Sequence, residues 1–306
     1  MNPLHIETPM VASRALSHAA GRPTWLKLEA VQPPGSYKLR GIGHACQEYA
    51  RRGARRFISS SGGNAGIAVA YSGRQLGIPV LVVVPESTSE TAKGLILQEG
   101  AEVRVHGASW HEANALAHSM VTASDAFVHP FDDPLLWQGH STMVDEIVRA
   151  GVRPGVIVLS VGGGGLLCGV IQGLLRHGWT DVPVVAVETV GADSLAQSVA
   201  AGERIKLARI TSIATTLGAR QVCEQAFSYT QQHPVTSLVV SDQAAVRACQ
   251  RFITDHRIVT EPACGASLAV LYDRAPELER FESALVIVCG GAGVSVPQLE
   301  RWSEEL

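Results

Sequence analysis

Short apolar runs alternate with helix-patterned segments along almost the whole chain. Several runs, such as Val80–Val84, are continuously apolar, which is typical of parallel strands covered on both faces. Strands that alternate with helices in this way predict a doubly wound α/β fold. The predicted strands are Trp25–Glu29, Arg56–Ser59, Val80–Val84, Glu102–Val105, Gly155–Val161, Val184–Glu188 and Ala284–Cys289, and the predicted helices are Leu39–Arg52, Asn64–Leu76, Ser89–Glu99, Trp110–Ala123, Pro134–Ala150 and Gly165–Arg176.

Length and charge narrow the class of protein. A chain of 306 residues suggests two domains or one large α/β unit. Hydrophobic residues make up 46% of the chain and charged residues 17%, so a large core can form and general disorder is not expected. A net charge of −3 provides neither a nucleic-acid footprint nor a polybasic membrane face.

Three features favour a cytoplasmic protein. The first residues lack a cationic segment followed by an apolar one, so no signal peptide is predicted. The uncharged stretch Gly155–Leu175 contains four consecutive glycines, Gly162–Gly165, which suits a buried strand, loop and helix better than a membrane span. The six cysteines form no CxxC pair and no Cys/His metal spacing, so reduced thiols are expected.

Lys38 follows a turn-forming segment, Pro33–Tyr37, and is predicted to lie at the start of a helix. The positive potential of a helix N-terminus lowers the pKa of an amine and makes it a better nucleophile. Lysine is also rare in this chain: of the 25 lysines and arginines, only four are lysines, namely Lys27, Lys38, Lys93 and Lys206. We therefore interpret Lys38 as a reactive amine, the alternative being an ordinary solvated lysine.

Two loops rich in small residues are predicted to bind anions. Ser59–Gly66 lies between a strand and a helix, where backbone N–H groups suit a carboxylate, although ordinary βα loops have similar composition. Gly162–Gly165 follows another strand, and its nest of amides suits a phosphate. The glycine spacing matches neither the dinucleotide pattern nor a P-loop. A mononucleotide-sized ligand is therefore expected.

A fourth motif ends the strand Ala284–Cys289 and continues as Gly290-Gly291-Ala292-Gly293. Ligands of open α/β sheets bind at the carboxyl ends of strands. Cys289 is therefore a candidate ligand-binding residue, although a small buried cysteine is the commoner case.

In combination, the Gly-Ser-Tyr-Lys turn, the Ser-Gly-Gly-Asn-Ala-Gly loop, the tetraglycine loop and the Cys-Gly-Gly segment resemble those of fold type II pyridoxal phosphate (PLP) enzymes. Within them the chain is most similar to the short catabolic L-serine/L-threonine dehydratases, from Thr8-Pro9 to Gly293. The resemblance implies two open sheets with PLP in the cleft between a large domain (1–38 and 135–306) and a small domain (39–134). It also implies a small amino acid as substrate. A homodimer is expected only as the commonest oligomeric state.

The resemblance implies a role for each motif. Lys38 would form the Schiff base with PLP and act as general base, while Tyr37 would stack on the ring and Cys289 would meet the pyridine nitrogen. The implied cofactor-binding residues are Lys38, Tyr37, Asn64, Gly162, Gly163, Gly164, Gly165, Leu166, Thr216 and Cys289; the implied substrate-binding residues are Ser61, Gly62, Asn64 and Ala65; and the implied ligands of a potassium-like cation are Glu188, Ala192, Ser194, Leu217 and Ala219.

Two positions depart from the family pattern. Gly62 stands where the most active members usually carry alanine, and Thr216 stands where a small apolar residue faces the PLP ring. A serine racemase or a β-replacement synthase on the same scaffold stays an alternative to elimination. An NAD-dependent dehydrogenase with Glu188 after its glycine loop, and a catalytically silent homologue, are further alternatives.

Overall fold

The computed structural model describes residues 2–306, which form two sheets covered by helices. The strands are β1 (Met10–Ala12), β2 (Thr24–Lys27), β3 (Arg56–Ser59), β4 (Val80–Val84), β5 (Glu102–Val105), β6 (Asp125–Phe127), β7 (Ile157–Ser160), β8 (Val184–Thr189), β9 (Val235–Val240) and β10 (Ala284–Ile287). The helices are α1 (Arg14–Ala20), α2 (Lys38–Arg51), α3 (Asn64–Leu76), α4 (Glu90–Gln98), α5 (Trp110–Ser119), α6 (Pro134–Arg149), α7 (Gly165–Arg176), α8 (Ser194–Ala201), α9 (Glu224–Gln232), α10 (Asp242–His256), α11 (Pro262–Tyr272) and α12 (Val296–Glu305).

The first compact unit comprises residues 2–6 and Gln32–His140. Its sheet has the order β5-β4-β3-β6, and every neighbouring pair of strands is parallel. All five residues of β4 are buried, because helices cover a parallel sheet on both faces. Part of the core beneath α5 consists of Ile58, Leu81, Val83, Ala113 and Ala117.

The second compact unit comprises Glu7–Val31 and Ser141–Leu306. Its sheet has the order β1-β2-β10-β7-β8-β9, in which only β1 is antiparallel to its neighbour. Every residue of α11 is buried, as expected of a helix that is apolar on all sides. The two sheets confirm the predicted α/β class.

A buried charge cluster lies in the second unit, close in sequence to the points where the chain passes from one unit to the other. The Lys27 ammonium donates to the carbonyl of Thr8 at 2.6 Å and to the carboxylate of Glu146. Glu29 lies 4.0 Å from the same ammonium and accepts from the Thr8 hydroxyl at 2.7 Å. The chain changes from one unit to the other after Ile6, Val31 and His140. Each of these boundaries lies within a few residues of one member of the cluster: Thr8, Glu29 and Glu146, respectively. We name Thr8, Lys27, Glu29 and Glu146 the Lys27 cluster.

The predicted strands and helices are all present, with ends that differ by a few residues. β2 ends at Lys27 rather than Glu29, because Glu29 begins a 3-10 turn. β1, β6 and β9 were not predicted. The first two have three residues each, and β9 is an edge strand that is only partly buried. Such strands carry little of the continuous apolar pattern on which the prediction depended.

The structural units and the predicted domains divide the chain differently at three places. Residues 32–38 and 135–140, predicted in the large domain, belong to the first unit, as do residues 2–6. The reason is local packing: a Cβ on Gly139 would lie 2.3 Å from the carbonyl oxygen of Arg40, so α6 begins against α2. The functional division into a large PLP-binding domain and a small domain stays a prediction. Across residues 2–306, we find no helix with the length and apolarity needed to span a bilayer.

Candidate active site

Lys38 is the first residue of α2. Its ammonium donates to the carbonyl of Pro130 at 2.7 Å and lies 5.2 Å from the centre of the Tyr37 ring. His129 and His140 lie close enough to Lys38 for its positive charge to lower their pKa values. Burial, assisted by Lys38, lowers the pKa of His129 to about 4 and places the pKa of His140 well below its usual range. Both imidazoles are therefore neutral near pH 7, and neither competes with Lys38 for a proton.

His140 was not singled out from the sequence, yet it contacts the first turn of the lysine helix. Its Nδ1 accepts a hydrogen bond from the Gly41 amide at 3.2 Å. Its ring centre lies 4.9 Å from that of Tyr37, with the planes inclined by 55°. The sequence carries no local signal for this contact, because the two partners lie 99 positions apart.

The loop before α3 contains the residues predicted to bind the substrate carboxylate. Asn64 begins the helix and is buried. A Cβ on Gly66 would lie 1.9 Å from the carbonyl oxygen of Ser61, so the loop folds back on the first turn of α3 at a position only glycine can occupy. The Gly63 amide donates to the Ser61 hydroxyl at 3.4 Å. Ser61, Gly62, Asn64 and Ala65 thus surround one helix N-terminus, which suits a carboxylate.

The departure at Gly62 has a structural counterpart in Thr88. A Cβ added to Gly62 would lie 2.6 Å from Oγ1 and 2.7 Å from Cγ2 of Thr88. Such distances are shorter than van der Waals contact, so an alanine would require Thr88 to move. The absence of a methyl group at position 62 therefore matches the space that Thr88 occupies.

The tetraglycine loop lies between β7 and α7. Gly164 is the N-cap of α7 and has φ +94°, in the left-handed region, which a residue without Cβ adopts readily. A Cβ on Gly162 would lie 3.0 Å from Cα of Leu217, and one on Gly164 would lie 2.3 Å from Cβ of Ala226. The loop is therefore closely packed on one side, while the amides at the start of α7 suit a phosphate.

Cys289 follows β10 and is buried. A hydrogen bond with Cys264, followed by burial, raises the pKa of the Cys289 thiol well above its usual range. The thiol is therefore neutral near pH 7. A neutral thiol can accept or donate a weak hydrogen bond at a pyridine nitrogen, but it adds no negative charge there.

The hydroxyl of Thr216 donates to Oε1 of Glu261 at 2.7 Å. Glu261 is buried, and its carboxyl group lies against Gly291, where a Cβ would be 2.3 Å from the carboxyl carbon. The Glu261 carboxylate was not predicted from the sequence. It engages the hydroxyl that distinguishes Thr216 from a small apolar residue.

The predicted cation ligands lie around Glu188, at the end of β8. The two oxygens of the Glu188 carboxylate accept from the amides of Leu195 at 2.8 Å and Ala196 at 2.7 Å. Burial raises the pKa of Glu188 to about 8, although these amides act in the opposite direction. The Ser194 hydroxyl is buried and has no hydrogen-bond partner within residues 2–306. Within the same residues, no group of three or more His, Cys, Asp or Glu side chains is arranged so that it could hold a metal ion.

The other predicted cation ligands occupy two nearby chain segments of the second unit. Ala192 forms an isolated bridge with Thr189. Leu217 ends a 3-10 turn, and Ala219 follows it with an amide that donates to the Leu217 carbonyl at 2.7 Å. Together with Glu188 and Ser194 they would form an oxygen-rich set with a single carboxylate. Their role as cation ligands stays a prediction.

The chain is similar to known proteins over nearly its whole length. The chain is 46% identical over 315 aligned residues to the human protein named L-serine dehydratase/L-threonine deaminase, covering 99% of this chain and 96% of the relative. It is 49% identical to the mouse protein named serine dehydratase-like, covering 99% and 95%. A crystal structure of a fungal L-serine ammonia-lyase from Rhizomucor miehei superposes with a TM-score of 0.93 at 35% identity, covering 99% of each chain.

Two open α/β sheets, a phosphate-suited glycine loop and a lysine at a helix start define a cofactor-dependent enzyme of the fold type II class. Residues 1–290 match the pyridoxal-phosphate dependent enzyme family, and the chain belongs to it. The chemistry of the residues fits this cofactor. Gly164, in the left-handed region, leaves the amides at the start of α7 free of a side chain, which suits a phosphate. Cys289 provides a buried neutral thiol after a strand, and Lys38 provides an amine. The individual roles stay predictions.

Proposed function

We propose that this chain converts L-serine to pyruvate and ammonia, and L-threonine to 2-oxobutyrate and ammonia. The observation that supports the proposal best is the nearly full-length similarity to a human L-serine dehydratase/L-threonine deaminase. That similarity covers 99% of the chain and therefore extends over both compact units. The chain is also 44% identical to a protein from Dictyostelium discoideum named L-serine dehydratase, and the match covers 97% of this chain and 91% of that protein.

The protein's own groups have separable tasks in this reaction. When bound, PLP supplies the electron sink for negative charge that develops at the substrate Cα. Lys38 would hold the cofactor and would supply the amine that removes the Cα proton. The amides at the start of α3, with Ser61 and Asn64, would bind the substrate carboxylate and orient the Cα–H bond.

The polarity around the cofactor ring favours elimination. A neutral thiol at Cys289 does not hold a pyridine nitrogen protonated as a carboxylate would. With Cys289 at that position, the cofactor would be a modest electron sink, which would favour prompt loss of the β-hydroxyl. Racemisation would need a second acid/base on the other face of the ring. An aliphatic hydroxyl such as that of Thr216, which donates to Glu261, is a weak candidate because alcohols ionise far above neutral pH.

The proposal is tested with purified protein supplied with PLP and L-serine. We expect stoichiometric pyruvate and ammonia, together with a visible absorbance band that Lys38→Ala abolishes. Lys93→Ala is the matched control, because Lys93 lies on α4 and pairs with the exposed Glu90. D-serine that accumulates without pyruvate would show a racemase instead.

Three finer features belong to the same proposal. A homodimer is supported by the general frequency of two-fold symmetric oligomers, and light scattering of the purified protein tests it. A cytoplasmic location is supported by six cysteines that are all unbridged and buried, and fractionation of cells tests it. A potassium-like cation at Glu188 predicts that activity rises with K⁺ and that Glu188→Gln abolishes the increase.

A further inference from the structure

We propose that His140 is a positioning residue for Lys38, acting through the backbone of the first turn of α2. The inference rests on the proposed function of Lys38 as the cofactor-bound amine. It assigns a task in the reaction to a histidine that neither the sequence motifs nor the substrate loops include.

The amides at the start of α2 show how His140 acts. The first four N–H groups of a helix lack partners within the helix. In α2 the Leu39 amide bonds to the Ser36 carbonyl at 3.4 Å and the Arg40 amide to the Tyr37 carbonyl at 2.9 Å. The Gly41 amide instead donates to Nδ1 of His140. A side chain from another helix thus caps the turn that begins with Lys38.

Two glycines fix this contact sterically. A Cβ on Gly41 would lie 2.5 Å from Cε1 and 2.6 Å from Nε2 of His140, and 2.6 Å from the carbonyl oxygen of Leu136. A Cβ on Gly139 would lie 2.3 Å from the carbonyl oxygen of Arg40 and 2.7 Å from Cα of Gly41. The backbones of α2 and α6 therefore touch, so a displacement of His140 is transmitted to the lysine helix.

The protonation state of His140 follows from the same contact. Because Nδ1 accepts from an amide, the proton of the neutral ring lies on Nε2. Burial and the charges of Lys38, Arg40 and His5 keep the pKa of His140 well below its usual range. Protonation of Nδ1 would break the cap and place a second positive charge near Lys38. A neutral cap therefore stabilises the helix start without adding charge beside the reactive amine.

The other ring nitrogen argues against a purely structural residue. Nε2 is buried and has no hydrogen-bond partner among residues 2–306. A buried N–H without an acceptor costs free energy, and a core position that needed only shape would be filled by an apolar ring. The Tyr37 ring lies beside the imidazole, so the same histidine contacts the residue before Lys38 and, through the Gly41 amide, the first turn of α2.

Two substitutions separate shape from hydrogen bonding. His140→Phe keeps a ring beside Tyr37 but removes the Nδ1 acceptor. His140→Asn removes the ring but places Oδ1 near the position of Nδ1. The matched control is His233→Phe in the second unit, since His233 is buried and its Nε2 lies 2.8 Å from the Val182 carbonyl. The unmodified protein and the three variants are assayed as holoenzymes with L-serine, and the visible absorbance of each is followed against pH.

We expect His140→Phe to lower kcat by roughly tenfold while KM changes by less than about threefold, because misplacement of a reacting group affects the transition state more than binding. We also expect the midpoint of its pH-dependent absorbance change to shift, and His140→Asn to restore most of both properties. His233→Phe should lower the melting temperature alone.

The inference is overturned if His140→Phe loses only thermal stability, as His233→Phe does, or if His140→Asn restores neither property. A measurement on the unmodified protein covers the case in which His140→Phe fails to fold. Nitrogen chemical shifts should place the His140 proton on Nε2, and a proton on Nδ1 would refute the cap. If the unmodified holoenzyme does not act on L-serine, the proposed function fails, while the absorbance and nitrogen shifts still decide the role of His140.

Discussion

Replacement of Lys27 by methionine should destabilise the protein strongly, because it removes the cation of the Lys27 cluster. The side chain of Lys27 is 1% exposed, and the side chains of Glu146 and Glu29 are 6% and 0% exposed. Breaking a buried ion pair by removing one partner costs about 3–5 kcal/mol. In Lys27→Met the two carboxylates stay in the core without the ammonium that faces them, and the Thr8 carbonyl loses a donor.

The measurement is urea unfolding of the purified protein, followed by tryptophan fluorescence. With an unfolding entropy of about 2.1 cal/mol/K per residue, a loss of about 3–5 kcal/mol would also lower the melting temperature by about 5–8 °C. The control is Lys93→Met, since Lys93 pairs with a Glu90 side chain that is 91% exposed, and exposed pairs contribute about 1 kcal/mol or less. Lys27→Met with Glu146→Met should recover part of the loss.

A loss below about 1 kcal/mol in Lys27→Met, comparable to that of an exposed pair, would refute this account of the cluster. So would a double variant that is less stable than Lys27→Met. Either outcome would mean that the buried carboxylates are compensated by other groups.

Three further variants follow from the site. Gly62→Ala places a methyl 2.6 Å from Oγ1 of Thr88 and should raise KM for L-serine, whereas adding Thr88→Ala relieves the contact. Thr216→Val removes the donor to the buried Glu261 and should cost about 1 kcal/mol in urea unfolding. His129, with its pKa lowered to about 4, binds fewer protons folded than unfolded between pH 4 and 6.5. Stability should therefore fall as pH falls through that range, and His129→Asn should flatten the dependence.

Each variant has a contradicting result. An unchanged KM in Gly62→Ala would mean that Thr88 moves without cost. Thr215→Val is the control for Thr216→Val, because Thr215 is exposed beside it, and equal effects would exclude a specific bond to Glu261. A pH–stability curve that is identical with and without His129 would show that other groups control the acid limb.

The sequence predicted the features that depend on local pattern. Continuous apolar runs located β4 and β8, and the tetraglycine segment located the start of α7. The missing strands are short or half-exposed, so their pattern is weak. Two of the site contacts that the sequence did not indicate join Gly41 to His140 and Thr216 to Glu261, across 99 and 45 positions. No periodicity records such pairs, because they arise only when separate segments pack.

The scarcity of lysine has a practical consequence for amine chemistry. Lys27 is buried, and Lys93 is 17% exposed and paired with Glu90. In the proposed holoenzyme, the Lys38 amine would already be occupied by PLP. Lys206 is exposed and has no such protection. An aldehyde- or ester-activated support should therefore attach the enzyme chiefly through Lys206 among the side-chain amines. Immobilisation would then orient the molecules uniformly while leaving the amine proposed for catalysis unmodified.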